Sequence, residues 1–295
     1  MFIIKHRKIF YTIAIMLVAT SITFLAIWSL NFGIDFTGGT LWEMDFKNNR
    51  PISADITQAL SSEGLEPSTV QPAGENGYIL RFRPLDEGQH QQGLSVLEDK
   101  FGEIDELSFE AVGPSIGKEL RDKSLYAIVI VILAIIAYIA WSFRKVEKVV
   151  SSWVYGAIAI VALVHDVLIP LGIFAFLGKF FGLEITSAFV AAILTVLGYS
   201  VNDTIVVFDR VRENLRKHTH DDFVELVGAS IKQTISRSIN TSLTTTLVLG
   251  AIYFFGGESI KPFALVLMIG IGAGTYSSIF LASPLLVSWS LKKAK

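Results

Sequence analysis

Ile9–Leu30 is 22 consecutive residues without a charge or a histidine, and a bilayer span needs about 20. Further long runs follow. Ser124–Phe143 is 20 apolar or uncharged residues, and Val149–Leu177 is 29, interrupted only by His165 and Asp166. Ile185–Phe208 is 24 residues with one charge, Asp203, while Ser238–Gly257 and Pro262–Leu291 carry none. The last, at 30 residues, must tilt, kink or extend beyond the lipid. Six spans are the simplest count. Charged residues make up 18% of the chain, against roughly a quarter in soluble proteins.

The net charge of −2 excludes a general nucleic-acid binder. The absence of cysteine excludes disulfides, thiolate metal sites and thiol nucleophiles. Lys5, Arg7 and Lys8 precede the first run as in a signal peptide, but that run is too long and no small-residue cleavage site follows. It reads as a retained anchor. Basic residues gather at Lys5–Lys8, at Arg144, Lys145 and Lys148, along Arg210–Arg237, and at Lys292, Lys293 and Lys295, 15 of the 25 in the chain. The opposite short loops hold only Lys179 and Lys261. The positive-inside rule then makes both termini and segment 209–237 cytoplasmic, and residues 31–123 extracytoplasmic.

Residues 31–123 contain 17 acidic and 8 basic side chains, a local charge of −9. Thr40–Lys47 alternates like a strand, Ser53–Glu63 has helical spacing, and Ser68–Gln71 and Tyr78–Arg83 read as two strands around a turn. Gln89–Phe101 is again helical, and Glu106–Val112 a last strand. This β-α-β-β-α-β order predicts a small α+β ferredoxin-like domain. It holds no catalytic constellation: His90 is its only histidine. Its acidic excess suits a solvated surface, or a weak surface for polypeptide at a sheet edge.

Ionisable groups inside apolar helices are costly and point to function. Asp203 lies about five residues, ~7 Å, inside the cytoplasmic end of its run. Arg237 opens the next run at comparable depth, so the two are expected to pair. Asn202 and Thr204 flank the acid, and Ser238, Asn240, Thr241, Ser242 and Thr244–Thr246 make the fifth run polar enough to hold a proton path. His165 and Asp166 are deeper, as a structural polar pair or a weaker proton relay. Gly270, Gly274 and Ser278 form a stripe for close helix contact, with Gly272 on a second small face. Phe223, Leu226, Val227, Ile231 and Ile235 form the apolar face of a cytoplasmic amphipathic segment, expected to lie along the interface.

Phe32-Gly33-Ile34-Asp35-Phe36-Thr37-Gly38-Gly39-Thr40 resembles the opening signature of the bacterial SecD/SecF proteins, and Val112-Gly113-Pro114-Ser115-Ile116-Gly117 resembles a second motif of that family. Gly198–Asn214, which contains Asp203, and Ser236–Thr241, which contains Arg237, are similar to two more. The apolar runs and charge bias divide the chain into 1–30 (cytoplasmic N-terminus and first helix), 31–123 (exported domain) and 124–295 (five further helices with the cytoplasmic amphipathic segment 209–237 and a cytoplasmic C-terminus). The resemblance implies a subunit of a proton-driven accessory to the Sec translocon, in the resistance-nodulation-division superfamily and the bacterial cytoplasmic membrane. Its partners would be a SecD-like six-helix subunit, the translocon channel, unfolded preprotein and lipid, with no cofactor or metal and protons as the coupled species. Proton flow is carried over to Asp203 and Arg237, and turn formation to Asp35 with Gly33, Gly38 and Gly39. The alternatives are an exporter of lipid or small apolar molecules in the same superfamily, an intramembrane aspartyl protease using Asp166 and Asp203, and a structural scaffold.

Overall fold

The computed structural model describes residues 2–47, 50–143, 151–217 and 222–293. In chain order come a one-turn helix α1 (Phe2–Lys5), α2 (Arg7–Trp28), a short α3 (Ile34–Thr37), β1 (Gly39–Phe46), α4 (Ser53–Ser61), β2 (Thr69–Ala73) and β3 (Gly77–Phe82). Then follow α5 (Glu87–Phe101), β4 (Ile104–Val112), α6 (Pro114–Phe143), α7 (Ser152–Phe181), α8 (Ser187–Arg216) and α9 (Phe223–Phe255). A 3₁₀ turn (Glu258–Ile260) leads into α10 (Lys261–Tyr276), a π-helical stretch (Ser277–Ala282) and α11 (Ser283–Lys293). The chain divides into two compact units, Phe32–Leu125 and Met1–Asn31 with Tyr126–Lys295.

In the first unit every strand pair is antiparallel and the sheet order is β2-β3-β1-β4. With two helices in the crossovers this is the ferredoxin-like arrangement, and its elements begin and end within two residues of the boundaries read from periodicity. Thr40, Trp42, Met44 and Phe46 of β1 point to one face, with Tyr78, Leu80 and Phe82 of β3 beside them. Ile56, Ala59 and Leu60 of α4 and Leu97 of α5 close the core over that face. A Cβ on Gly93 would lie 3.1 Å from the Trp42 ring, so this glycine lets α5 approach the sheet. Asp86 starts α5 with a capping box, accepting from Gln89 N–H at 2.8 Å while its own N–H donates to the Gln89 side chain.

The two family-like motifs of this unit meet. Gly38 (φ 74°) and Gly39 (φ 138°) adopt backbone that L-residues avoid. A Cβ on Gly38 would stand 2.9 Å from Pro114 Cα, and one on Gly117 would stand 3.0 Å from Gly38 N. The turn at 33–40 and the motif at 112–117 are therefore one packed feature. Gly33 has ordinary extended backbone (φ −76°) and precedes α3, with Asp35 in that helix's first turn.

In the second unit, six helices among the described residues are long and apolar enough to cross a membrane. α7, α8 and the α10–α11 run are about half-buried, while α2, α6 and α9 are mostly uncovered. α2 touches α7 at Ser21 and Gly172, where a Cβ on the glycine would collide with the Ser21 backbone. The small-residue stripe answers to α8 of this same chain: Gly270 packs on Val196 and Gly274 on Ser200. Gly272 is exposed and faces open space.

Segment 209–237 differs from the expectation. It is not a separate interfacial helix: α8 continues to Arg216, and α9 runs unbroken from Phe223 to Phe255. Leu226, Val227 and Ile231 are buried in the bundle core with Val207, Phe208 and Val211 of α8, and Phe223 and Ile235 pack beside them. The apolar face is real, but helix neighbours cover it. No proline or glycine pair interrupts 223–255, so nothing stops the helix between its charged and apolar halves. The basic loop Arg144, Lys145 and Lys148, and Lys295 in the tail, lie outside the described residues.

Candidate functional site

Asp203 is on the α8 face turned to α9 and the last helix, with 8% of its surface exposed. Ser238 of α9 donates to its Oδ1 at 2.5 Å, and Ser278 donates to its Oδ2 at 2.5 Å. Asp166 on α7 is fully buried. Its Oδ2 accepts from Ser277 at 2.7 Å and from Ser200 of α8, and its Oδ1 accepts from His165 Nδ1–H at 2.8 Å. Two carboxylates from two helices thus converge on neighbouring serines at the start of the π-helical stretch. A π turn is rare and recurs at functional sites.

Further hydroxyls extend this polar seam. Tyr199 of α8 hydrogen-bonds Ser242 of α9 at 3.1 Å, and Ser242 bonds Thr275 of α10. Ser238 and Ser242 are four residues apart and share a face. Thr244 and Thr245 instead donate to carbonyls of their own helix. The arrangement offers carboxylates and hydroxyls, groups that hold and relay protons. Among the described residues no cluster of three or more metal-ligating side chains exists.

Comparison with known proteins gives the lineage. The family described as protein export membrane protein SecD/SecF, C-terminal, matches residues 93–292, and the SecD/SecF GG motif matches residues 30–49. The chain belongs to the SecD/SecF family. Among its SecD/SecF relatives, protein translocase subunit SecF of Thermobaculum terrenum is 43% identical, covering 98% of this chain and 94% of that one. The SecF subunit of Haemophilus influenzae is 39% identical over 94% of this chain and 82% of its own. The crystal structure of SecDF, a translocon-associated membrane protein from Thermus thermophilus, matches with a TM-score of 0.83 at 32% identity, covering 99% of this chain. SecDF in a super-membrane-facing form matches with a TM-score of 0.67 at 33% identity over 96% of this chain. This chain spans 38% of either solved chain.

Against this SecD/SecF background, the site residues read from sequence separate in space. Asp203 sits in the serine cluster and Thr204 is buried beside it, whereas Asn202 and Asn240 are exposed. Arg237 corrects one expectation: it is exposed, and no ion pair joins it to Asp203 among the described residues. Successive helical residues point about 100° apart, and Ser238 faces the acid, which turns its neighbour Arg237 outward. His165 and Asp166 do meet each other, because the Nδ1 of the one reaches back to the carboxylate of the other. The protease alternative loses its geometry, since each acid accepts from its own hydroxyls and no hydrogen bond links the two carboxylates among the described residues.

Ser200 and Ser277 were not singled out from sequence, and Ser278 was read only as a small packing residue. A serine in an apolar helix gives no sign of which it is. The available signal was joint: two buried acids need donors, and Ser277-Ser278 is a tandem pair in a charge-free run.

Proposed function

We propose that this chain is a SecF-type translocase subunit that, with a SecD-like six-helix partner, uses the proton motive force to assist and complete preprotein translocation through the Sec translocon. In this reading Asp203 takes up and releases the coupled proton. The observation that carries it is the setting of that carboxylate: buried between apolar helices, it is held by hydroxyls from α9 and the last helix. A change of its charge therefore changes contacts among three helices at once. Arg237, exposed on α9, would take part in the same proton path in the assembled complex.

The charge bias supports a bacterial cytoplasmic-membrane protein with both termini inside and residues 31–123 outside. The acidic α+β unit would then hold emerging polypeptide in one state and release it in another. That a solved relative has a super-membrane-facing form, to which this chain is less similar, supports more than one arrangement within the family. One charge crossing 100 mV supplies about 2.3 kcal/mol, or roughly a fifty-fold population shift. That suits ratcheting an unfolded chain and falls short of unfolding a stable domain. No cofactor is required.

The test is Asp203→Asn in the assembled complex, reading reporter export and proton conductance with and without a gradient. Loss of the gradient-dependent part, with assembly intact, is the expected result. Unchanged export and conductance overturn the reading and leave the scaffold alternative.

A further inference from the structure

We propose that Asp166 is a second proton-holding carboxylate, joined to Asp203 by the tandem serines Ser277 and Ser278. The inference rests on the proton-coupled reading above and extends it to a group in another helix.

Three observations carry it. Asp166 is fully buried, and its hydrogen-bond partners among the described residues are groups able to re-orient: two serine hydroxyls and an imidazole. No arginine or lysine from any described element forms an ion pair with it. Around it the titratable groups are His165 beside it on α7, Asp203 one turn beyond Ser200 on α8, and Tyr276 at the end of α10, whose ring stacks on His165 at 5.8 Å. The α9 charges nearest in sequence to the Asp203 partner Ser238, Lys232 and Arg237, are exposed.

Next, each tandem serine has one hydrogen and two acceptors in reach. Ser277 Oγ contacts Asp166 at 2.7 Å and the Gly274 carbonyl at 3.1 Å; Ser278 Oγ contacts Asp203 at 2.5 Å and the Thr275 carbonyl at 3.1 Å. When the acid is ionised, the hydroxyl donates to it. When the acid takes up a proton, its new O–H donates to Oγ, and the serine hydrogen turns to the carbonyl. Each protonation state thus has a partner for the serine hydrogen, with donor and acceptor roles across the helix contact exchanged.

Last, His165 Nε2 is buried with no hydrogen-bond partner among the described residues. With Nδ1–H given to Asp166, Nε2 presents a bare lone pair inside the bundle, the acceptor a proton leaving or reaching Asp166 needs. Ser277 and Ser278 are positioning residues in this scheme, and Asp166 and His165 hold the proton.

The experiment is pH-difference infrared spectroscopy of the assembled complex in lipid, reading the carboxylic C=O stretch in wild type, D203N, D166N, S277A and S278A. Two titrating bands are expected, one lost in D203N and the other in D166N. S277A should shift only the second and S278A only the first, with S277T restoring the wild-type frequency. S277A keeps the test decisive should D166N fail to assemble. A single band, lost in D203N and unmoved by S277A, overturns the second site while leaving Asp203 as the coupled acid. Absence of any titrating band overturns both this inference and the proton-coupled reading.

Discussion

Ser278 donates to the carboxylate of Asp203 across 2.5 Å although the two residues are 75 apart in the chain. That bond ties the last helix to α8 at the depth where the π-helical stretch begins. A buried carboxylate left one donor short loses about 1–3 kcal/mol. Ser278→Ala should lower the thermal unfolding midpoint of the purified complex and reduce gradient-driven export. Ser278→Thr, which keeps the hydroxyl, should restore most of both.

The contact between α2 and α7 depends on the missing side chain of Gly172. Gly172→Ala forces a methyl into the Ser21 backbone and should cost about 1–3 kcal/mol by overpacking. Gly250→Ala is the internal comparison, because a Cβ there meets nothing within 4 Å. It should be neutral or gain about 0.5–1 kcal/mol from helix propensity. Thermal melts of the two variants side by side decide the matter; equal stabilities would contradict the packing.

Gly39 combines φ 138° with a would-be Cβ only 2.8 Å from the Phe82 carbonyl. Gly39→Ala should strain the start of β1 by about 1–3 kcal/mol. Limited proteolysis of the full chain should then cut residues 32–125 faster while the helical unit keeps its wild-type pattern.

The continuity of α9 is checked at Ile231, which is fully buried in the bundle core. Ile231→Ala should destabilise the fold by about 2–5 kcal/mol, the cost of a core cavity. An interfacial helix would instead show unchanged melting and weaker lipid contact.

Glu87 accepts from Gln91 at 2.8 Å and lies 3.3 Å from His90 Nδ1. The Gln91 bond first, and His90 second, hold its carboxyl below the ordinary 4.5. A depressed acid contributes stability that is present above the unfolded value and fades as pH falls through the folded one. The protection factors of the α5 amides, corrected for intrinsic exchange, should therefore fall as pH drops below about 4.5, and Glu87→Gln should remove that dependence. The effect is small because Glu87 is solvent-exposed.

What could be read from sequence follows physical contrast. The α+β unit was legible because period-two strands and helical apolar spacing are local signals, and β1 shows its alternation in Thr40, Trp42, Met44 and Phe46. Asp203 was legible because one charge stands alone in 24 apolar or uncharged residues. Its partner was misassigned because charge suggested Arg237, while helix rotation delivers Ser238. Segment 209–237 was misplaced because a charged, amphipathic stretch between two spans looks alike whether it lies on lipid or continues a helix. The π turn left no mark, since its residues Ser277–Ala282 are ordinary helix formers in an apolar run.

That stretch sets the phase of everything after it. A π turn carries more residues per turn than an α turn, so α11 leaves it rotated relative to the axis α10 would have extended. Deleting one residue within 277–282 would swing α11 by about 100°. Each later residue would take the direction its predecessor has now, so the fully buried Leu286 would move to the half-buried place of Leu285, and the Tyr11–Ser288 hydroxyl contact would part. The six residues that present serines to two acids are also the gear that keeps the end of the chain in register with its beginning.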